Sequence, residues 1–262
     1  MKPLGRVVFI GAGPGAADLI TVRGARRLAQ AEVVLFDALT DPALRELAPQ
    51  ATWIDVGKRG FCDSTGQATL DAMLVHWAQR VQHVVRLKGG DPSVFGRLEE
   101  ELQALAAAGV ACEVVPGVTA AIAAAADTQR PLTRRGSGRS VSLSTAMTRS
   151  GSLHANPQAS RRADTEVFYM AGRQLAALGR SLQAAGWPPD TAVCVVSRAG
   201  WPDRLSSDHP LAELGGAALL HAGRPAVVTV GAGAHAVARV APPTSPAQAP
   251  LSPCGERALS AS

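Results

Sequence analysis

Val84-Val85-Arg86-Leu87 runs directly into Lys88-Gly89-Gly90-Asp91-Pro92, an apolar strand-like run closed by a charged, glycine-rich turn. Open α/β sheets bind ligands outside the carboxyl ends of their strands, and this turn suits that position. Two glycines let backbone amides approach a ligand, Asp91 can accept hydrogen bonds from hydroxyls or amines, and Pro92 stiffens the exit. The same punctuation recurs at Val7-Val8-Phe9-Ile10 before Gly11-Ala12-Gly13-Pro14-Gly15, and at Val33-Val34-Leu35-Phe36 before Asp37. It returns at Trp53-Ile54-Asp55-Val56 before Gly57-Lys58-Arg59-Gly60, and at Cys112-Glu113-Val114-Val115 before Pro116-Gly117-Val118-Thr119-Ala120.

Helical patterns lie between these runs. The clearest is Leu70, Met73, Leu74 and Trp77, which fall on one face at i, i+3, i+4, i+7 spacing. Strand alternating with helix predicts an α/β fold with a mostly parallel sheet in the first half. If the strands share one direction, Asp37, Lys58, Asp91 and the glycines collect along one rim, and so around one cleft. Gly11 to Gly15 do not make a dinucleotide fingerprint, because Pro14 falls within the spacer and removes an amide donor. Asp41-Pro42 is the better cap for the next helix, which leaves Asp37 without a structural duty. Lysine occurs only at positions 2, 58 and 88 in a chain otherwise supplied with arginine. Its compact charge and movable proton make Lys58, at the expected rim, a candidate for proton chemistry.

These segments, in order, resemble the motif series of the tetrapyrrole methyltransferases. The resemblance runs through Gly11-Ala12-Gly13-Pro14-Gly15, Phe36-Asp37-Ala38-Leu39, Val56-Gly57-Lys58-Arg59-Gly60, Arg86 to Arg97, Val115-Pro116-Gly117-Val118-Thr119-Ala120 and Pro131-Leu132-Thr133-Arg134-Arg135. It is closest over residues 5 to 133 and looser to about 235, where Val167 to Gly172 is the anchor. Within the family the chain is most similar to members that methylate uroporphyrinogen III. The resemblance implies two α/β domains with a cleft between them for S-adenosylmethionine (SAM), usually in a homodimer. It also implies conversion of uroporphyrinogen III to precorrin-2 by two successive methylations, the step that opens siroheme and cobalamin biosynthesis. S-adenosylhomocysteine would be the second product.

Carried over residue by residue, the resemblance implies SAM contacts at Pro14, Gly89, Gly90, Asp91, Val94, Thr119, Ala120, Met170 and Ala199. It implies a proton acceptor at Asp37 and a proton donor at Lys58. The chain departs from the family pattern at Leu98 and Ala146, where glycine is usual, and at Arg134, where histidine is usual. Related activities remain open: a later corrin precursor or a modified histidine as methyl acceptor, or SAM binding without turnover.

Two domains are expected at residues 1–134 and 135–240, divided in the arginine- and glycine-rich stretch Thr133 to Arg139. Strands are expected near Val141–Leu143, Glu166–Met170, Ala192–Ser197 and Ala226–Val230, with helices near Gln174–Ala185 and Pro210–His221. Residues 149–163 read as a loop. The Pro-, Ala- and Ser-rich tail 241–262 reads as disordered, because it cannot bury enough apolar surface to offset its ordering entropy.

At 262 residues and 47% hydrophobic content the chain can form two modest cores. No run of about 18 apolar residues marks a membrane span. No signal peptide is visible at the N-terminus, and Cys62, Cys112, Cys194 and Cys254 lack paired spacing, so a cytoplasmic location is expected. Cys112 and Cys194 are expected as buried thiols. The six histidines show no ligand spacing, so no metal is expected. The net charge of +5 comes without a basic run or a stacking aromatic series, which excludes a nucleic-acid reader and suits an acidic small molecule.

Overall fold

The computed structural model describes residues 3–57, 66–146 and 163–237. Lys58, most of the expected loop at 149–163 and the expected tail 241–262 lie outside them.

Five strands, β1 (Arg6–Gly11), β2 (Val33–Phe36), β3 (Thr52–Asp55), β4 (His83–Lys88) and β5 (Cys112–Val115), form a parallel sheet in the order β3-β2-β4-β1-β5. Successive side chains alternate between its faces. Val8, Ile10, Val85 and Leu87 pack towards Leu28 of α1 (Val22–Leu28). Val7, Phe9 and Val84 pack towards Leu70 and Leu74 of α2 (Gln67–Ala78) and Leu105 of α3 (Leu98–Ala107). Thr21 starts α1 by accepting from the Gly24 amide at 3.0 Å, which satisfies a donor the helix leaves unpaired. Asp41 caps the 3₁₀ turn Pro42–Leu47 in the same way, as the sequence led us to expect.

β1 sends the chain to β2 across one face through α1, whereas its neighbour β4 sends it to β5 across the other through α3. Their shared carboxyl end is therefore the switch point of the sheet, where a crevice opens. Backbone meets backbone there. A Cβ at Gly117 would lie 2.3 Å from the Gly90 carbonyl oxygen and 2.7 Å from the Gly11 Cα. Only glycine permits this approach of the β1, β4 and β5 turns.

The second sheet contains β6 (Val141–Thr145), β7 (Thr165–Tyr169), β8 (Ala192–Ser197), β9 (Leu205–Pro210) and β10 (Ala226–Gly231), in the order β6-β7-β10-β8-β9. Only β6 and β7 pair in parallel; the other ladders are antiparallel. α5 (Leu175–Ala184), the 3₁₀ turn Leu211–Gly216 and α6 (Ala217–Leu220) cover one face through Leu175, Leu178, Leu182, Leu211, Leu214 and Ala217. The other face is covered by α4 (Ala120–Thr128), whose Ala121, Ala123 and Ala124 lie against Val167, Tyr169, Cys194, Val196 and Val227. α4 precedes the stretch Thr133 to Arg139 in sequence yet packs on the second sheet. Among the described residues no helix is long and apolar enough to cross a membrane.

Three expectations are corrected. Cys112 is exposed, because it opens β5, an edge strand with β1 alone as its strand neighbour; Cys194 is buried as expected. Lys88 is buried within the end of β4 rather than standing in the turn. The helix expected over Pro210–His221 is not one helix: Pro210 ends strand β9, to which no element was assigned from the sequence, and the rest is a 3₁₀ turn followed by α6.

A polar cluster ties the second sheet to α6. Buried His221 shares hydrogen bonds with Ser197 Oγ at 2.9 Å and Ser207 Oγ at 2.8 Å, and Ser207 Oγ reaches His209 Nε2 at 2.7 Å. Burial, with repulsion from His209 and Arg224, holds His221 below its ordinary value of 6.5. The unfolded chain therefore takes a proton at a higher pH than the folded one, and this stability is present above about pH 6.5 and lost as pH falls below it. We expect the urea midpoint to drop between about pH 7.5 and 5.5, and the drop to shrink in His221→Gln. Gly117→Ala should cost about 1–3 kcal/mol, the range for overpacking, because backbone atoms cannot move aside. Denaturant unfolding of this variant measures it.

Candidate functional site

The carboxyl ends of the first sheet and of β7 and β8 in the second close into a circuit of contacts. The β1 and β4 turns are zipped together: Gly90 N donates to Gly13 O at 2.7 Å, and Gly13 N to Gly90 O at 3.3 Å. Gly90 holds φ +71°, a conformation that favours glycine. Asp91 clips this turn to the β5 turn. Its Oδ2 accepts from the Gly117 amide at 2.8 Å, while Oδ1 accepts from the Ser93 amide at 2.8 Å and from the Ser93 hydroxyl. Burial alone would raise Asp91, but the bonds from Ser93 and Gly117 outweigh it and hold the carboxyl below its usual range.

From the β5 turn the circuit passes to the second sheet through Tyr169, the single tyrosine in the chain. Its hydroxyl shares a 2.7 Å hydrogen bond with Thr119 Oγ1 and accepts from the Ala121 amide at 3.3 Å. Its ring lies 5.0 Å from that of Phe95 in the β4 turn. Burial raises the phenol above its ordinary value against the pull of those two bonds, so it is neutral. Met170 follows in a left-handed conformation, φ +57°, with 47% of its surface exposed. The return runs from β8: the Ala16 amide donates to Gly200 O at 2.9 Å, and Trp201 Nε1 donates to Pro14 O at 3.0 Å. The Gly200 amide donates to Asp127 of α4 at 2.7 Å.

Every expected SAM contact falls on or beside this circuit. Pro14, Gly89, Gly90 and Asp91 lie in the zipped turns, and Val94 sits one turn on, its amide donating to Asp91 O at 3.2 Å. Thr119 and Ala120 start α4, and Met170 and Ala199 follow β7 and β8. Asp37 stands beside the circuit, directly after β2, its amide donating to Leu87 O of β4 at 3.2 Å; Lys58 lies outside the described residues.

Asp37 does have a structural partner. Arg86 Nη2 donates to its Oδ1 at 2.6 Å, and Arg86 Nε donates to Glu101 Oε1 at 3.0 Å. The other Glu101 oxygen accepts from Lys88 Nζ at 2.5 Å. Arg86, Lys88 and Glu101 are buried, and the side chain of Asp37 is 31% exposed. Arg86 and Lys88 both project from β4 towards α3, where Glu101 occupies the first turn. Burial would lower Arg86, but Asp37 and Glu101 beside it raise it above its ordinary value. Lys88 is lowered by burial and by Arg86, against the opposing pull of Glu101.

Residues that sequence reasoning missed are Tyr169, Trp201, Arg86 and Glu101. The scarcity that singled out the lysines would have found the lone tyrosine. Nothing marks Glu101 among three successive glutamates. Among the described residues no group of three or more His, Cys, Asp or Glu could hold a metal ion.

Residues 6–215 match the family of Tetrapyrrole (Corrin/Porphyrin) Methylases. A uroporphyrinogen-III C-methyltransferase of Pseudomonas aeruginosa is 39% identical over 232 residues, covering 87% of this chain and 93% of that one. A siroheme synthase of Yersinia pseudotuberculosis is 41% identical over 88% of this chain, which spans only 49% of that longer protein. The solved structure of uroporphyrin-III C-methyl transferase from Thermus thermophilus, complexed with S-adenyl homocysteine, superposes with a TM-score of 0.76 at 33% identity, covering 87% of this chain and 97% of that one.

Tyr169→Phe keeps the ring against Phe95 but strips Thr119 and the Ala121 amide of their partner. We expect a loss of about 1–2 kcal/mol in urea unfolding, the cost of leaving a buried donor unmade. An unchanged midpoint would mean that the hydroxyl does not hold this joint.

Proposed function

The chain belongs to the tetrapyrrole methylases, and on that footing we propose that it is a SAM-dependent C-methyltransferase converting uroporphyrinogen III to precorrin-2 by two successive methylations. The observation that carries this reading is the circuit of turns from both sheets, set beside the likeness to a methyltransferase of the same activity over nearly its whole length.

The residues suit the methyl donor. A Cβ at Gly89 would meet nothing closer than Leu39 Cβ at 3.5 Å, so its absence leaves space between the β2 and β4 turns. Half-exposed Met170 and Phe95 offer apolar surface for an adenine ring, and the glycine turns offer backbone groups for polar atoms. We assign donor contacts to Pro14, Gly89, Gly90, Asp91, Val94, Thr119, Ala120, Met170 and Ala199. Asp91 has a second duty there, since both of its oxygens already brace neighbouring turns.

SAM, when bound, supplies an electrophilic methyl carbon on a sulfonium. The task of the chain is to hold the donor and the electron-rich ring carbon close to a line, which a site shared by two sheets accomplishes. A carbon–carbon bond forms as the carbon–sulfur bond breaks, and the methylated macrocycle is left with positive charge. Asp37 relieves it by taking a proton at Oδ2, the oxygen that no described residue bonds. Lys58 donates a proton elsewhere on the ring or pairs with a ring carboxylate. We further propose a homodimer in the cytoplasm, which light scattering of the purified protein and fractionation of cells would test.

Incubation with SAM and enzymatically generated uroporphyrinogen III, followed by mass spectrometry, should yield a doubly methylated product and S-adenosylhomocysteine. Binding of S-adenosylhomocysteine without methylated product would sink the proposal. Asp37→Asn keeps size and one acceptor oxygen but cannot take a proton at neutral pH. Turnover should fall about a hundredfold or more, while the rise in Tm on adding S-adenosylhomocysteine persists.

A further inference from the structure

Asp37, Arg86, Glu101 and Lys88 form a single file of charges that alternate in sign and cancel, running from the cleft to the underside of α3. Burying an ion is costly unless every charge is paired and hydrogen-bonded, and this file meets that condition inside the fold. Glu101 has no oxygen to spare: one accepts from Arg86 and the other from Lys88. Its place in the first turn of α3 adds the favourable end of the helix dipole. Arg86 is equally committed. Nε is taken by Glu101, Nη2 by Asp37, and Nη1 donates to Leu87 O at 3.1 Å and Leu35 O at 3.4 Å. A planar guanidinium held on three sides cannot swing, so it presents a fixed donor to Asp37.

We propose that Arg86, fixed by Glu101, is a positioning residue for methyl transfer: it holds Asp37 Oδ1 so that Oδ2 alone faces the macrocycle. The inference rests on Asp37 being the proton acceptor. A carboxylate on two rotatable bonds at a strand end would otherwise sample several orientations, and a misplaced catalytic group costs rate rather than affinity. Lys88 takes no part in this contact. It balances the second oxygen of Glu101, and its role is confined to the stability of the file.

Arg86→Lys keeps the charge, but a point charge cannot span Asp37 and Glu101 as the guanidinium does. Measured well below the unfolding temperature, its kcat should fall about tenfold to a hundredfold, with the KM for uroporphyrinogen III and the Kd for S-adenosylhomocysteine within about twofold of wild type. A merely structural role would lower Tm without that split. The double variant Asp37→Asn, Arg86→Lys should be no slower than Asp37→Asn alone, because Arg86 acts through Asp37. Glu101→Gln, read in the same way, should show a smaller loss of kcat and the same dependence on Asp37. Near-normal turnover in Arg86→Lys, or losses that add in full in the double variant, would overturn the inference while leaving Asp37 its role. Near-normal turnover in Asp37→Asn would overturn both.

Discussion

Backbone-on-backbone contact between Gly11, Gly90 and Gly117 is the constraint on which the rest of this molecule depends. Adjacent parallel strands lie about 4.8 Å apart, and the turns that leave them normally diverge to make room for side chains. Here three turns converge because none carries a Cβ at the point of contact. Convergence lets Gly13 and Gly90 pair as a short bridge beyond the strands, and it brings the Gly117 amide onto Asp91. The crevice of a switch-point sheet is thereby narrowed at its base and given a continuous polar edge.

That edge also serves as a docking surface. α4 leaves the β5 turn and crosses to the second sheet, where an alanine-rich face allows close approach of the helix axis to the strands. Large side chains would hold the two layers apart and open the joint. Part of the seam is held away from the cleft, where Arg130 pairs with Asp208 of β9 and Thr165 donates to Leu132 O. The polar contacts nearest the cleft are Tyr169 on Thr119 and the Ala121 amide, Trp201 on Pro14, and Gly200 on Ala16. Each lies within a residue or two of an expected donor contact, so these interactions both join the two sheets and shape the site. A chain built this way has little room to relax its seam without altering what the seam binds.

The buried file from Asp37 to Lys88 is of a different kind. An apolar replacement of similar volume would pack at least as well, since buried ion pairs seldom repay their desolvation. Its presence is better understood through direction than through stability. Arginine donates from several fixed positions, and in this setting it converts the rigid packing of α3 on the sheet into a fixed orientation of one carboxylate at the rim.

Strand ends, parallel order and the shared rim were legible in the chain because they follow from local facts: apolar runs of strand length, period-3.6 helices between them, and glycine where a turn needs it. The capping role of Asp41 and the burial of Leu70 and Leu74 are of this sort. β9 escaped because Leu205-Ser206-Ser207-Asp208-His209-Pro210 is mostly polar and lacks the apolar run that marks the other strands. The burial of Lys88, the exposure of Cys112 and the partnership of Asp37 with Arg86 depend on which strand lies beside which and on what α3 sets against them. Local sequence determined where ligand-facing turns occur and which residue types stand in them. Only the tertiary structure decided how the turns close on one another and which charges pair, because those outcomes depend on distances between residues far apart in the chain, which no local pattern encodes.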